Sequence, residues 1–155
     1  MDNASASAVE PAVLTTRDGA VLTATMNRPA RLNAFNTAMH EGLANAVAEA
    51  RDDKSVRVFV LTGAGRAFSA GQDLSDRTMG EDDAPPDLGH TLDTRYNPLV
   101  RSIRALPIPT VAAINGAAAG AALNIALTSD IAVASRSAAF LQPFANLGLI
   151  PDAGG

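Results

Sequence analysis

Two stretches rich in glycine and alanine could expose backbone N–H groups that bind a ligand oxygen atom. Residues 63–74 and 115–124 each follow an apolar run and combine a glycine turn with alanines. The first N–H groups of a helix have no partner within that helix, and small side chains there let a ligand oxygen approach. The N–H of Ala70 and one within Gly120-Ala121-Ala122 are therefore candidates for an oxyanion hole, which stabilises developing negative charge by about 3 kcal/mol per donor. Close packing of helix against strand also requires small residues and is the alternative explanation.

Composition excludes several other kinds of chemistry. The chain has no cysteine, so cysteine nucleophiles, disulfides and thiolate metal sites are absent. Two histidines are too few for a His-rich metal cluster. His40 is expected to be a solvated helix residue, and His90 is expected to lie in a variable loop. The net charge of −4 argues against a general nucleic-acid or anionic-membrane binder.

The sequence of 155 residues, 47% of them apolar, fits one domain with a real core. Residues 1–11 are predicted to form a flexible tail, and residues 12–155 the core domain. No apolar run approaches the roughly 20 residues of a membrane helix. The N-terminus lacks the basic and apolar regions of a signal peptide. A cytoplasmic protein is therefore expected.

Apolar runs alternate with amphipathic stretches, which predicts an α/β domain. Asp18-Gly19 between two apolar runs predicts a hairpin, and Asn36 or Thr37 is expected to cap a helix ending near Asp52. Residues 79–90 are acidic and rich in proline and glycine, which predicts a mobile surface loop. Residues 140–146 are ambiguous. Further strands are predicted at 13–16, 21–26, 56–61, 110–114 and 131–134, and helices at 94–105 and from 117 to about 128.

Several motifs occur in order along the chain and together are specific. They are Asn27-Arg28-Pro29, Leu32-Asn33-Ala34, residues 61–74, residues 109–116, Ser129-Asp130-Ile131 and residues 147–151. With them the chain resembles the enoyl-CoA hydratase/isomerase (crotonase) superfamily over nearly all of its length after residue 12. Residues 71–77, 86–89, 95–101 and 148–155 are most similar to a branch that isomerises ring-1,2-epoxyphenylacetyl-CoA to oxepin-CoA in phenylacetate degradation.

The resemblance implies a fold, a ligand and an assembly. The fold would be a spiral of repeated ββα units, and the ligand an acyl-CoA thioester, so that coenzyme A is part of the substrate and no separate cofactor is needed. Family members assemble as trimers or pairs of trimers, which implies a homotrimer or hexamer. They also continue into C-terminal helices, so the core domain is expected to be incomplete after Gly155.

The resemblance also implies residue roles. The N–H groups of Ala70 and Ala121 would form the oxyanion hole, with Gly120 beside them. The CoA nucleotide and pantetheine would be bordered by Ala30, Arg31, Leu32 and Ala34. The same groove would be lined by Gly71, Gln72, Asp73 and Leu74, although bracing of its own turn is the favoured role of Asp73.

The chain departs from the hydratases at three positions. Asn124 and Phe144 occupy the places of the two glutamates that activate water, so hydration by that pair is not expected. Asp152 replaces a glycine, and related isomerases place a carboxylate there. A partly desolvated aspartate with a raised pKa suits proton transfer. A helix N-cap is the alternative for Asp152.

Other polar residues have structural alternatives. Asn124 would either orient the ligand or hydrogen-bond the helix start. Tyr96 would reach the acyl pocket or make an ordinary helix contact. Asp130 is expected to be structural. The expected function is therefore isomerisation of an acyl-CoA, either of the epoxide or of an enoyl-CoA double bond. A hydratase-type reaction and a non-catalytic subunit that binds acyl-CoA remain alternatives.

Overall fold

The computed structural model describes residues 10–73 and 87–155. The strands are β1 (Val13–Asp18), β2 (Val21–Met26), β3 (Val58–Gly63), β4 (Ala67–Ser69), β5 (Thr110–Ile114), β6 (Ala117–Ala119), β7 (Ile131–Ala134) and β8 (Phe140–Leu141). The helices are α1 (Thr37–Asp52), α2 (Leu88–Thr91), α3 (Asn97–Arg104) and α4 (Ala121–Leu127). A π-helical turn, Leu92–Tyr96, joins α2 to α3, and 3-10 turns occupy Pro29–Arg31 and Pro143–Leu147.

The strands form two sheets, and consecutive strands alternate between them from β3 onwards. The larger sheet has the order β1-β2-β3-β5-β7, in which only the β1–β2 pair is antiparallel. The smaller sheet has the order β4-β6-β8 and is parallel. From β3 onwards each ββ pair therefore contributes one strand to each sheet. The first two of these pairs lead into helices, and the β7–β8 pair leads into the 3-10 turn Pro143–Leu147. This confirms the predicted α/β spiral of ββα units.

The first elements form as the sequence predicts. Asp18 pairs with Val21 across a tight turn in which Gly19 has a φ of 54°, a value that favours glycine. The side chain of Asn36 accepts a hydrogen bond from the N–H of Met39 and so caps α1. The helix ends at Asp52, as expected, and buries one apolar face against the larger sheet.

Several predicted boundaries differ from the structure. The strand predicted at 56–61 is Val58–Gly63, the strand predicted at 13–16 continues to Asp18, and two differences are larger. Residues 117–119 form strand β6 rather than the start of a helix, because they pair with β4 and β8; the helix begins only at Ala121. Small side chains are needed at this corner, since a Cβ on Gly116 would collide with the carbonyl of Arg66. Residues 88–90, predicted to be loop, form the start of α2, where Asp87 accepts a hydrogen bond from the N–H of His90.

Three of the sequence predictions fall partly outside the described residues. These are the tail over residues 1–9, the loop over residues 79–86 and the groove residue Leu74. Among the helices that the structure describes, none has the length and apolar character needed to cross a membrane.

Candidate active site

An apolar cavity of about 470 Å³ lies where the two small-residue turns approach the end of the chain. One wall is formed by Ala70, Gly71 and Gln72, and a second by Gly120 and Ala121. The remaining lining is mainly apolar and is contributed by Leu88, Leu92, Pro143, Phe144, Leu147, Leu149, Ile150 and Pro151. Such a concave, largely apolar space with a few polar groups is typical of a small-molecule site.

Asp152 is the one ionisable side chain among the described residues that line this cavity. Its Oδ1 atom is buried and has no hydrogen-bond partner in the described part of the chain. Burial raises the pKa of the Asp152 carboxyl above its ordinary value of 3.8. The residue follows Pro151 in irregular structure. A desolvated carboxylate facing an apolar cavity is chemically suited to accept a proton from carbon.

The first turn does not present the donor that the sequence predicts. The N–H of Ala70 donates to the carbonyl of Leu32 at 2.9 Å, so it is already occupied. Phe35 donates to the carbonyl of Gly71 and accepts from the N–H of Asp73. The residue between these two, Gln72, therefore directs its N–H away from Phe35, and this group makes no hydrogen bond with any described residue. Gln72, not Ala70, supplies the unpaired N–H at the cavity.

The second turn agrees with its prediction. Ala121 is the first residue of α4, and its N–H has no partner among the described residues. Gly120 precedes it with φ 53° and ψ −132°, a backbone conformation that residues other than glycine rarely adopt. A glycine is thus required to aim the start of α4 at the cavity. Gln72 and Ala121 line the same cavity, and neither N–H has a hydrogen-bond partner among the described residues.

A buried polar network holds the first turn in place. Asn33 is fully buried, and its Nδ2 donates to the carbonyls of Ala64, Ala67 and Phe68. Arg28 donates to the Asp73 carboxylate at 2.8 Å. The favoured bracing role of Asp73 is therefore confirmed.

The other predicted site residues fall into two groups. Phe144 is 8% exposed and lines the cavity with Gly71 and Gly120. Asn124 does not line it; the amide instead bonds to Gln142 and to the backbone of Asp152. The predicted CoA-bordering residues, Ala30, Arg31, Leu32 and Ala34, lie in and after the 3-10 turn that follows β2, outside the cavity wall.

Asp130 has a structural role, as expected. Its Oδ2 accepts from the N–H and the hydroxyl of Thr110 at 2.8 and 2.9 Å. These hydrogen bonds hold the pKa of the Asp130 carboxyl below its ordinary value. The carboxylate thus ties the start of β7 to the start of β5.

A larger open groove of about 830 Å³ lies between α1 and α3. Its walls carry charges of both signs, including Glu41, Arg51 and Arg95. Neither Asp152 nor Ala121 reaches it, although Gln72 lies at the boundary with the smaller cavity. The smaller cavity, which combines the desolvated carboxylate with the two N–H groups, is therefore the candidate active site.

His40 is buried rather than solvated, which corrects the prediction for that residue. It is 8% exposed and meets the ring of Tyr96 edge-on, with ring centroids 4.4 Å apart. Tyr96 is 1% exposed and also packs against Phe35, so it makes a core contact and does not line the cavity. Periodicity misses this because His40 faces the core only once α3 packs on α1. Burial, and to a smaller extent the charge of Arg95, lower the pKa of His40 to about 4.

We expect the buried histidine to make the protein acid-sensitive. The pKa of His40 is below its unfolded value of 6.5, so the unfolded chain binds a proton first as the pH falls. The free energy of unfolding should therefore decrease between pH 6.5 and about 4. Urea unfolding across this range should show a shallower decrease for His40→Phe than for the wild type. Equal slopes in the two proteins would contradict a neutral, buried His40.

The fold and the cavity define a ββα spiral protein whose cavity is lined by one partly desolvated carboxylate and by two residues, Gln72 and Ala121, whose N–H groups have no partner among the described residues. The family model for enoyl-CoA hydratase/isomerase matches residues 16–155. The chain therefore belongs to the enoyl-CoA hydratase/isomerase family, and its fold is the crotonase fold.

Similar proteins include both isomerases and hydratases. The chain is 51% identical over 135 residues to 1,2-epoxyphenylacetyl-CoA isomerase of Escherichia coli K12, covering 87% of this chain and 52% of that protein. It is 39% identical to 2,3-dehydroadipyl-CoA hydratase of the same organism, covering 92% and 54% respectively. The chain thus spans about half the length of these curated relatives.

Solved structures give the same fold. A crystal structure of an enoyl-CoA hydratase from Mycobacterium avium subsp. paratuberculosis K-10 matches with a TM-score of 0.80 and 36% identity, covering 95% of this chain and 56% of that one. An enoyl-CoA hydratase from Bacillus anthracis matches with a TM-score of 0.83 and 31% identity, covering 92% and 55%.

Proposed function

We propose that the protein is an acyl-CoA isomerase in which Asp152 carries the proton. The observation that supports this most directly is the position of Asp152, the one ionisable group among the described cavity residues, with a buried Oδ1 that has no partner there. The N–H groups of Gln72 and Ala121 would receive the thioester oxygen. Two donors aimed at one oxygen stabilise an enolate, which makes the adjacent C–H acidic enough for a carboxylate to deprotonate.

The proposed reaction on an enoyl-CoA is a balanced proton shift. The Asp152 carboxylate removes a proton from one allylic carbon, and the electrons of that C–H bond delocalise to the thioester oxygen as an enolate. The protonated Asp152 then returns the proton to the other end of the allylic system, and the electrons move back. The double bond changes position, no atom is gained or lost, and Asp152 is regenerated. The raised pKa of Asp152 favours both steps, since it brings the carboxyl closer to the acidity of its carbon partner.

Ring-1,2-epoxyphenylacetyl-CoA, converted to oxepin-CoA in phenylacetate degradation, is the second proposed substrate. Support comes from the relative named 1,2-epoxyphenylacetyl-CoA isomerase, which is 51% identical. The mainly apolar cavity of about 470 Å³ is suited to an aromatic ring. Coenzyme A is part of the substrate in this proposal and no other cofactor takes part. The exposed turn that holds Ala30 and Arg31 is proposed to border the CoA, and assembly into trimers or hexamers remains a prediction.

Hydration is the competing reaction, because some relatives are named hydratases. It requires a second group to activate water. Phe144 lines the cavity at one of the two hydratase positions, and Asn124 at the other has both amide atoms in hydrogen bonds to protein. The cavity is thus poorly equipped to position water, and isomerisation is favoured.

The direct test is turnover of CoA thioesters by the purified protein. We expect 3-enoyl-CoA to be converted to 2-enoyl-CoA, and the ring epoxide to oxepin-CoA, with crotonyl-CoA hydrated more slowly than either is isomerised. Products are separated by chromatography and identified by mass, since hydration adds one water and isomerisation adds nothing. Faster hydration would favour the hydratase reaction. Binding of the thioester without turnover would favour a non-catalytic subunit.

A proline substitution isolates the donor at the second turn. Proline is tolerated at the first position of a helix, so Ala121→Pro removes the N–H with little cost to α4. We expect kcat to fall about 100-fold or more, as for loss of one oxyanion-hole donor. Thr37→Pro, at the exposed first position of α1, is the matched control and should leave kcat unchanged. An Ala121→Pro variant with the kcat of the wild type would contradict the proposal that the Ala121 N–H binds the thioester oxygen.

A further inference from the structure

The side-chain amide of Asn124 joins three segments that surround the candidate active site. Its Nδ2 donates to the backbone carbonyl of Asp152 at 2.6 Å, and its Oδ1 accepts from Nε2 of Gln142 at 2.6 Å. Asn124 itself lies in the first turn of α4, three residues after Ala121. The side chain is 1% exposed, so water does not compete for these bonds.

The three joined segments carry different parts of the site. α4 supplies the N–H of Ala121, the segment after Gln142 supplies Phe144, and the third supplies the Asp152 carboxylate. Asp152 has no regular secondary structure to hold it; its carbonyl accepts from Asn124 and from the N–H of Gly155. Among the described residues, these bonds fix the Asp152 carbonyl and so influence the direction of its carboxylate.

The Asp152 carbonyl and Gln142 together favour one orientation of the Asn124 amide. A primary amide can rotate by half a turn and exchange its oxygen and nitrogen. The Asp152 carbonyl can only accept, so it selects Nδ2, and Nε2 of Gln142 donates to Oδ1 on the other side. Gln142 thereby stabilises the orientation in which Nδ2 is directed at the Asp152 carbonyl, although Gln142 itself is exposed and lies outside the cavity wall.

We propose that Asn124, oriented by Gln142, is a positioning residue that sets the place of the Asp152 carboxylate relative to the N–H of Ala121. This inference rests on the proposed isomerase function. Asn124 does not contact the substrate in this arrangement. Proton return to a second carbon requires the protonated carboxyl to stay within reach of both carbons, and geometric errors of about 1 Å reduce rates about 100-fold.

The experiment measures how much solvent hydrogen enters the product for each turnover. An enoyl-CoA is isomerised in D₂O by the purified protein and by the variants Asn124→Ala and Gln142→Leu. When Asp152 is firmly placed, it returns the same proton that it removed, and the product gains little deuterium. When it is loosely placed, the enolate persists and the carboxyl exchanges its proton before return. The deuterium content for each turnover does not depend on how much of the sample is folded.

For Asn124→Ala we expect kcat to fall about tenfold to 100-fold with KM nearly unchanged, and deuterium in the product to rise. Gln142→Leu should change both quantities in the same direction by a smaller factor, and its exposed site makes misfolding no obstacle. Leu43→Ala is the control, because it removes a buried core side chain of α1 away from the cavity. It should lower stability without changing the deuterium content.

The inference is overturned if both variants keep the deuterium content of the wild type, even where kcat falls. If Asn124→Ala does not fold, Gln142→Leu alone decides, and an unchanged deuterium content there rejects the proposal. Failure of the proposed function looks different. In that case Asp152→Asn, in a chain with Asn124 and Gln142 intact, would retain isomerase turnover.

Discussion

Replacing Asp152 with asparagine is expected to lower kcat for isomerisation about 1000-fold, within the range for loss of a general acid–base group. The change is nearly isosteric, so the cavity keeps its shape. Asparagine cannot accept a proton from carbon, and no other described cavity residue carries an ionisable side chain that would replace Asp152. Initial rates with 3-enoyl-CoA, compared at saturating substrate, measure the loss.

The stability of this variant separates catalysis from folding. Burial raises the pKa of Asp152, so its ionised form costs the folded state free energy at pH values above that pKa. A neutral amide removes this cost, and Asp152→Asn should be at least as stable as the wild type near neutral pH. Asp93→Asn, an exposed aspartate in the π-helical turn, is the matched control and should leave both kcat and stability unchanged.

The pH dependence of kcat gives a second measure of Asp152. The carboxyl must be ionised to remove a proton, so kcat should rise with pH through a pKa above 3.8. Above this limb kcat should become independent of pH unless another group titrates. A variant Asp152→Asn that retains full turnover, or a wild type with no acidic limb, would contradict the assignment of Asp152 as the base.

Asn33→Ala is expected to lower the free energy of unfolding by about 4 kcal/mol, the largest stability effect that we predict. The Asn33 side chain is fully buried and accepts from the N–H of Arg28 while donating to three carbonyls in the turn before Gly71. Alanine removes these hydrogen bonds and leaves the Ala67 carbonyl with the one from Nδ2 of Asn115. Asn33 also has a φ of 55°, which alanine adopts less readily. Urea unfolding monitored by circular dichroism gives the change.

Two further substitutions separate the causes of this effect. Asn33→Gly also removes the hydrogen bonds but accommodates the positive φ, so it should cost about 1 kcal/mol less than Asn33→Ala. Asn36→Ala, which removes only the cap of α1, should cost about 1 kcal/mol. If Asn33→Ala cost no more than Asn36→Ala, Asn33 would not be the centre of the network that holds the first turn.

The two halves of the proposed oxyanion hole are held by different means. The N–H of Ala121 is unpaired because α4 begins there, with Gly120 supplying the necessary φ. The N–H of Gln72 is unpaired because its neighbours are used in a bridge to Phe35. The network around Asn33 and Asp73 supports that bridge. Loss of the Asn33 side chain should therefore disturb the position of the Gln72 N–H more than the position of the Ala121 N–H.

Features that depend on local pattern could be predicted from the amino-acid sequence. Glycine at φ 54° in the hairpin, the Asn36 cap and the end of α1 at Asp52 follow from turn, capping and periodicity rules that act over a few residues. An unpaired N–H within Gly120-Ala121-Ala122 is also predicted, because a helix start leaves its first N–H groups unpaired whatever surrounds it. The departure from hydratases at Asn124, Phe144 and Asp152 was visible as residue types alone.

The hydrogen-bond partners of the backbone groups and the burial of the side chains depend on the tertiary structure. The N–H of Ala70 donates to Leu32, whereas the N–H of Gln72 has no partner among the described residues. The reason is that contacts between distant segments, including the bridge of Phe35 to Gln72, set the direction of each peptide group. His40 becomes buried because α3 covers one face of α1. Asp152 is desolvated by segments that follow other strands. Hydrogen-bond partners and burial arise from contacts between segments far apart in the chain, and a local sequence pattern does not contain them.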